Sequence, residues 1–262
     1  MLISKRIHSV YLLRLFNDCV SVLIMYMALN RLVSKRFMSG VLFWSASVGV
    51  KMNGLLYGPG IALILVTECG WIDTLEYACW FLLAQGFMAV PFLRRAPGEY
   101  LTQAFDFSRS FDYTWTVNWR FMPQHVFASD GFKWTLMVLH ASTLLLFANY
   151  RWLKDAGGLI HALTPFSNKH RRIVWNRRKI LICLFESNLI GVIFARSLHY
   201  QHYSWYYHSA WLMVLMAERV PLLARISLIM LIEYCWNVYP STVTSSFLLF
   251  AGNIILLLLP KQ

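Results

Sequence analysis

Long apolar stretches recur from one end of this 262-residue chain to the other, and that recurrence limits the possible folds more than any motif does. A bilayer core of ~30 Å is crossed by about 20 mostly apolar residues in a helix, fewer where polar ends snorkel to the interface. Nine candidate spans fit, at residues 17–32, 37–51, 54–67, 77–93, 134–150, 180–195, 205–218, 222–238 and 244–259. Hydrophobic residues make up 58% of the chain and charged residues only 14%, so a soluble core with one anchor does not fit. The expected fold is all-α: a single multi-pass membrane domain over residues 1–262, with about nine transmembrane helices.

The net charge of +12 raises the question of nucleic acid. The basic residues mostly sit in short segments between apolar runs, the placement the positive-inside rule describes, and they form no continuous basic groove. No nucleic-acid partner is expected. Residues 151–179 carry eight Lys/Arg and a single acid, Asp155, and so form a basic cytosolic loop. Counting outward, Arg31, Lys35, Arg36, Arg219, Arg225 and Lys261 join that side. Residues 1–16, the turn at 51–54, the loop 94–133, the segment 196–204 and the turn at 237–242 fall on the other. Lys5 and Arg6 violate this count, as they would if upstream spans set the orientation.

The five cysteines lack CxxC spacing and mostly lie in apolar runs, which suits small core residues better than a zinc site or a disulfide framework. Gly54 and Gly58 form a GxxxG, read as close helix packing, and Pro59 is expected to bend its helix. No GxGxxG, Walker loop, HExxH or GxSxG occurs.

Residues that a membrane chain should avoid gather on the non-cytosolic side. Arg14 and Asp18, four apart, could pair across one helical turn. Lys51 and Asn53 offer donors at a tight turn, either as a hairpin cap or to a phosphate or sugar hydroxyl. The loop 94–133 is too long for an idle connection. Within it, Asp106, Arg109, Trp115, Asn118, Trp119 and Arg120 mix aromatic faces with hydrogen-bonding groups, which is what a sugar ring requires; an interfacial aromatic belt would account for the rings but not for the charges. Arg196 and His199, three apart, could share a helix face toward an anion, and Arg suits bidentate phosphate contact. His199, His202 and His208 match no standard metal-ligand spacing, and no metal is expected. Glu186, Glu233 and His140 fall inside apolar spans, where ionisable groups are paired or functional.

At these same stretches the sequence resembles the dolichyl-phosphate-mannose-dependent α-1,3-mannosyltransferases of glycosyltransferase family 58, which have a C-type membrane fold. The pieces are HSVYLLRLFND at 8–18, VKMNGLLYGPG at 50–60, WTVNWRFMP at 115–123, SLHY at 197–200 with WYYH at 205–208, and IEYCWNVYPST at 232–242. They occur in order over most of the chain. The resemblance implies transfer of mannose, without a cofactor, from dolichyl-phosphate mannose to a five-mannose oligosaccharide on dolichyl pyrophosphate. It also implies a lumenal site in the endoplasmic reticulum membrane and inversion at the anomeric carbon. Cationic groups at Arg196, His199, Lys51 and Asn53 would meet the donor phosphate, and the residues from Asp106 to Arg120 would shape the carbohydrate site.

Family members carry earlier spans and an acidic residue in a first lumenal loop, expected to act as the base, whereas residues 1–16 contain no Asp or Glu. The chain therefore reads as a C-terminal portion of such a transferase. Asp18 and Asp106 are weak substitutes for the base. The rival readings are an inactive truncated transferase or a non-enzymatic transporter or scaffold, although no internal repeat of the transporter kind is present.

Overall fold

A computed structural model describes residues 4–104, 112–164 and 174–259, and among these there are helices and connections but no strand. Helix α1 (Lys5–His8) runs into a π-helical turn at Ser9–Leu13. The chain then breaks at Leu15, whose φ is +49°, and restarts as α2 (Asp18–Val33), bent by 106° from the first segment. The break separates Arg14 from the helix that Asp18 begins, so the one-turn Arg14–Asp18 pair expected from the sequence does not form.

Helices α2 and α3 (Phe37–Val50) make an antiparallel hairpin turned at Lys35, φ +57°. Ser21 and Ser47 cross-link it in its buried centre: the Ser21 hydroxyl donates to the Ser47 carbonyl at 3.2 Å, and the Ser47 hydroxyl returns a bond to the Ser21 carbonyl at 2.8 Å. A 3-10 turn at Met52–Tyr57 leads into α4 (Gly58–Cys69). Pro59 occupies the first turn of α4, where its missing N–H costs nothing, and so it starts this helix instead of bending one.

The chain continues through α5 (Trp71–Arg95), α6 (Pro97–Ala104), α7 (Gln124–Ala128), α8 (Asp130–Phe147, followed by a π turn to Trp152), α9 (Leu159–Leu163), α10 (Arg177–Ile193), α11 (Tyr207–Leu215), α12 (Leu222–Asn237) and α13 (Val243–Leu258). Side chains that compete with helix in its interior mark several starts: Ser129, Asn176 and Thr242 each accept an N–H from the first turn of the helix that follows.

Each apolar run expected from the sequence coincides with a helix. By length and composition, Met52–Cys69, Trp71–Arg95 and Asp130–Trp152 could each cross a membrane, and the bent pair Lys5–Leu13 and Asp18–Val33 could make a fourth span. Phe37–Val50 and Val243–Leu258 are apolar but shorter.

Helix α10 is the axis of the bundle. Every residue from 182 to 193 is buried, as expected for a helix surrounded by others. Its neighbours include α2, α4, α8, α11 and α13. Three consecutive polar residues in it are each joined to another element. Glu186 accepts from Arg151 Nη2 at 2.9 Å and Trp152 Nε1 at 2.8 Å. Ser187 donates to the Leu56 carbonyl and accepts from Gly60 N–H. Asn188 donates to the Trp205 carbonyl. Breaking a buried ion pair such as Arg151–Glu186 costs about 3–5 kcal/mol.

Gly60 brings α4 hard against α10: a Cβ there would stand 3.2 Å from Ser187 Cβ and 3.3 Å from the Cys183 carbonyl oxygen. Gly54 approaches Val48 as well, so the glycine cluster does serve packing. Glu233, the other acid inside an apolar run, accepts from the Tyr203 hydroxyl and the Asn237 amide, each at 2.8 Å. Helix α5, by contrast, buries only Ala89 and presents Ile72, Leu75, Leu82, Phe87 and Phe92 outward.

Candidate functional site

The N-terminal end of α2 is where distant parts of the chain meet. Asp18, its first residue, is fully buried, which would be prohibitive without partners. Its carboxylate accepts from Lys51 Nζ at 2.5 Å, Trp205 Nε1 at 3.0 Å and Ser204 Oγ at 3.2 Å. The first turn of a helix also favours this negative charge. One carboxylate thus ties the start of α2, the end of α3 and the 3-10 segment Tyr200–Trp205 together. Above it, His202 stacks on Trp205 with ring centroids 4.0 Å apart, and its Nδ1 accepts from His199 N–H at 3.1 Å. Burial, with the nearby Lys51 and His199 charges, pushes the His202 pKa down to about 3, so this ring is neutral.

A second staple joins two loops. Asn118 donates to the Ala195 carbonyl at 2.7 Å and accepts from Leu198 N–H and the Thr116 hydroxyl, each at 2.9 Å. Trp119 Nε1 donates to the same Ala195 carbonyl at 2.7 Å. Val117 N–H adds a bond to the Leu198 carbonyl at 2.8 Å.

These two staples frame a cleft of about 580 Å³. Arg6, Ser9, Val10 and Arg14 line one wall, and Phe16, Trp115, His199, Tyr200, Gln201 and Tyr239 complete it. The Arg6 guanidinium lies 4.4 Å from the Tyr200 ring centroid and donates through Nε to the Trp236 carbonyl. Tyr239 stacks on Trp115, with ring centroids 6.4 Å apart, and lies tilted against Tyr200 at 5.6 Å. Trp115 and Tyr239 remain 47% and 63% exposed, so their outer faces are open to a ligand. No Asp or Glu lines the cleft among the described residues. Asp112, kept ionised chiefly by its hydrogen bond from Thr114 N–H, acts electrostatically on His199 and partly offsets the burial that lowers the His199 pKa. The arrangement can hold an anion between two guanidinium groups while an aromatic wall covers the face of a ring.

Of the ligand contacts expected from the sequence, His199 and Trp115 line this cleft, and Arg14, expected there only as a partner of Asp18, lines it too. Lys51 is instead bound to Asp18, and Asn53 lies in the 3-10 turn before α4. Residues 194–199 are not helical, so Arg196 and His199 do not share a helix face; Arg196 turns away to donate to the Ala128 carbonyl at 3.3 Å. Asn118 and Trp119 face inward. Arg120 covers the Tyr113 ring and donates to its carbonyl. Asp106 and Arg109 lie outside the described residues. Asp18 is buried, accepts three hydrogen bonds and does not line the cleft.

Sequence reasoning passed over Arg6, Arg14, Tyr200, Gln201 and Tyr239 as ligand contacts. The signal for Arg6 was present as a basic residue on the side the charge rule disfavours, the kind of local violation that marks a functional site.

Compared with known families, residues 1–246 match the family model described as ALG3 protein. The probable Dol-P-Man:Man(5)GlcNAc(2)-PP-Dol alpha-1,3-mannosyltransferase of Dictyostelium discoideum is 42% identical over 98% of this chain and 57% of that protein. The Dol-P-Man:Man(5)GlcNAc(2)-PP-Dol alpha-1,3-mannosyltransferase of Arabidopsis thaliana is 38% identical over 97% of the chain and 61% of its own length. The human protein of that name is 38% identical over 97% of the chain and 59% of its own length. The chain thus spans about three fifths of these relatives. No solved structure matches it.

Proposed function

The chain belongs to the ALG3 protein family, and from that premise we propose that it carries the substrate-facing cleft of a mannosyltransferase that uses dolichyl-phosphate mannose. The acceptor is the Man5GlcNAc2 oligosaccharide on dolichyl pyrophosphate, and the new linkage is α-1,3, as the names of its relatives state for those proteins. In the transfer, the bond from the mannose anomeric carbon to the donor phosphate oxygen breaks. A bond to the acceptor oxygen forms on the opposite face, and the acceptor proton passes to a base. Dolichyl phosphate leaves with an additional negative charge on its phosphate.

The observation that carries this reading is the pairing of Arg6 and Arg14 with an aromatic wall in a cleft that no carboxylate lines among the described residues. Preorganised cations at the leaving oxygen stabilise the charge that develops there. Trp115 and Tyr239 offer faces to a sugar ring. His199 adds a donor, while Lys51, Asn118, Trp119 and Arg120 hold the cleft from behind and Arg196 braces it through Ala128. Asp106 and Arg109 belong to the same loop as Trp115 and are assigned to the carbohydrate.

The protein, on this proposal, is a multi-pass protein of the endoplasmic reticulum membrane in which about nine apolar helical segments, several of them short, cross the bilayer. The cleft faces the lumen, and the basic stretch 151–179 faces the cytosol. The placement of the cleft and of Lys35–Arg36 at opposite ends of α2 supports that orientation.

The test is complementation. The protein in its full natural length, carrying Arg14→Ala or Arg6→Ala, is expressed in cells lacking the transferase, and the lipid-linked glycans are sized. Accumulation of the five-mannose species is expected with a stably expressed variant. Normal elongation by both variants rejects the phosphate assignment, and failure of the unsubstituted full-length protein to elongate the glycan rejects the activity.

A further inference from the structure

The opposite end of α2 carries a second concavity that plays no part in the proposed transfer. A pocket of about 610 Å³ opens where the α2–α3 turn meets the start of α10, within the size range of small-ligand sites. It is lined by Ser34, Lys35 and Arg36 from the turn and by Trp175, Asn176 and Arg177 from the other element. No acid lines it among the described residues. Three acids from neighbouring segments are already engaged by other cations. Glu68 holds Lys35 through both oxygens at 2.9 and 3.0 Å, Glu218 meets Arg178 at 3.0 Å, and Asp155 meets Lys179 at 2.7 Å. Arg36 and Arg177 have no ion pair among the described residues, and the sequence from Thr164 to Asn176 contains no acid that could supply one.

The pocket is a built one. Trp175 is buried, and its Nε1 donates to Thr67 Oγ1 at 2.8 Å, which fixes that wall to α4. Lys35 is held both by its left-handed backbone and by Glu68. Asn176 gives its oxygen to Lys179 N–H and keeps its amide hydrogens as donors. Two guanidinium groups without ion pairs among the described residues and an amide, around one concavity, favour a phosphate. Helix α2 is 16 residues long, so this pocket stands ~24 Å along the helix from Asp18, close to the thickness of a bilayer core. A basic pocket between membrane helices, with a Trp at its wall, is suited to a lipid headgroup at the surface.

We propose that this pocket binds the phosphate headgroup of an anionic phospholipid on the bilayer face opposite the cleft. The protein in its full natural length is placed in phosphatidylcholine nanodiscs doped with phosphatidylinositol 4-phosphate or phosphatidylserine, and lipid retention is read by native mass spectrometry. The variants are Arg36→Gln/Arg177→Gln, with Arg219→Gln as an exposed basic control outside the pocket. Anionic lipid is retained over phosphatidylcholine by the unsubstituted protein and by the control. In the double variant, with an unchanged melting temperature, retention falls about 25-fold, as expected for two surface cations at about fivefold each.

Insensitivity of that retention to millimolar inorganic phosphate identifies a membrane headgroup. Competition by phosphate, itself abolished in the double variant, retains a phosphate site but overturns the lipid as its occupant. Equal retention of all lipids, or full retention by a folded double variant, overturns the site.

Discussion

Lys51 closes on Asp18 across 33 residues of sequence and joins the residue just past α3 to the first residue of α2. The two partners are not equally exposed: the Asp18 side chain is fully buried, whereas that of Lys51 keeps 20% of its surface in solvent. Removal of either charge therefore has a different cost. Lys51→Met leaves a buried carboxylate with neutral donors only and is expected to cost about 3 kcal/mol. Asp18→Asn leaves an ammonium that can rotate toward solvent, and about 1–2 kcal/mol is expected. Thermal unfolding in detergent should rank Lys51→Met below Asp18→Asn. The reverse order would assign the support of this junction to the Ser204 and Trp205 bonds.

Trp115 and Trp119 lie in one loop and are expected to fail in different ways. Trp115 lines the cleft with an exposed face, so Trp115→Ala removes a stacking surface and should raise the KM for substrate about tenfold, with the melting temperature nearly unchanged. Trp119 is buried and donates to Ala195, so Trp119→Phe loses a hydrogen bond and leaves Asn118 as the remaining side-chain donor to that carbonyl. About 1 kcal/mol of stability should be lost, with KM unaltered. Steady-state kinetics and a melting curve on each variant separate the two.

His202 sets an acid limit. Its native pKa of about 3 lies below the value of ~6.5 for an unfolded histidine. Between these values the unfolded chain binds the extra proton, so stability is fully present above pH ~6.5. It then declines as pH falls toward 3, by at most about 1.4 kcal/mol per pH unit. His202→Gln should flatten that decline over pH 6.5 to 4.5 relative to the unsubstituted protein. An unchanged slope would show that other groups carry the acid sensitivity.

Gly60→Ala tests the α4–α10 approach. The added methyl would press on Ser187 Cβ and the Cys183 backbone oxygen, neither of which can swing aside. A loss of about 1–3 kcal/mol is expected, against near neutrality for Gly86→Ala, where nothing stands within 4 Å of the new methyl. Melting temperatures of the two variants give the comparison.

The helices were legible because apolar composition is a local property, readable over any run of 15 to 25 residues. The length of α5, by contrast, extends past the expected 77–93 at both ends, because amphipathic turns at Trp71–Glu76 and Arg94–Arg95 continue the helix without being apolar. The cleft was legible only in part. Arg14 and Asp18 looked like a helical pair until Leu15 broke the helix between them, and a positive φ at leucine leaves no trace in composition. Asn118 and Trp119 looked like sugar ligands because polar-aromatic alternation is the same whether the polar atoms meet a ligand or a carbonyl 76 residues away. Which of these applies is decided by tertiary contact, and spacing alone does not encode it.

The polar triplet Glu186–Ser187–Asn188 also bears on how the chain is made. A glutamate at the centre of a helix enters lipid with a penalty of several kcal/mol when it enters alone. Four groups that meet Glu186 and Ser187, namely Arg151, Trp152, Leu56 and Gly60, are synthesised before α10 leaves the ribosome. The Asn188 acceptor at Trp205 follows. On the proposed membrane topology, the order of translation puts these partners in place before a helix with three consecutive buried polar residues, so segments made earlier in the chain would act as its insertion partners.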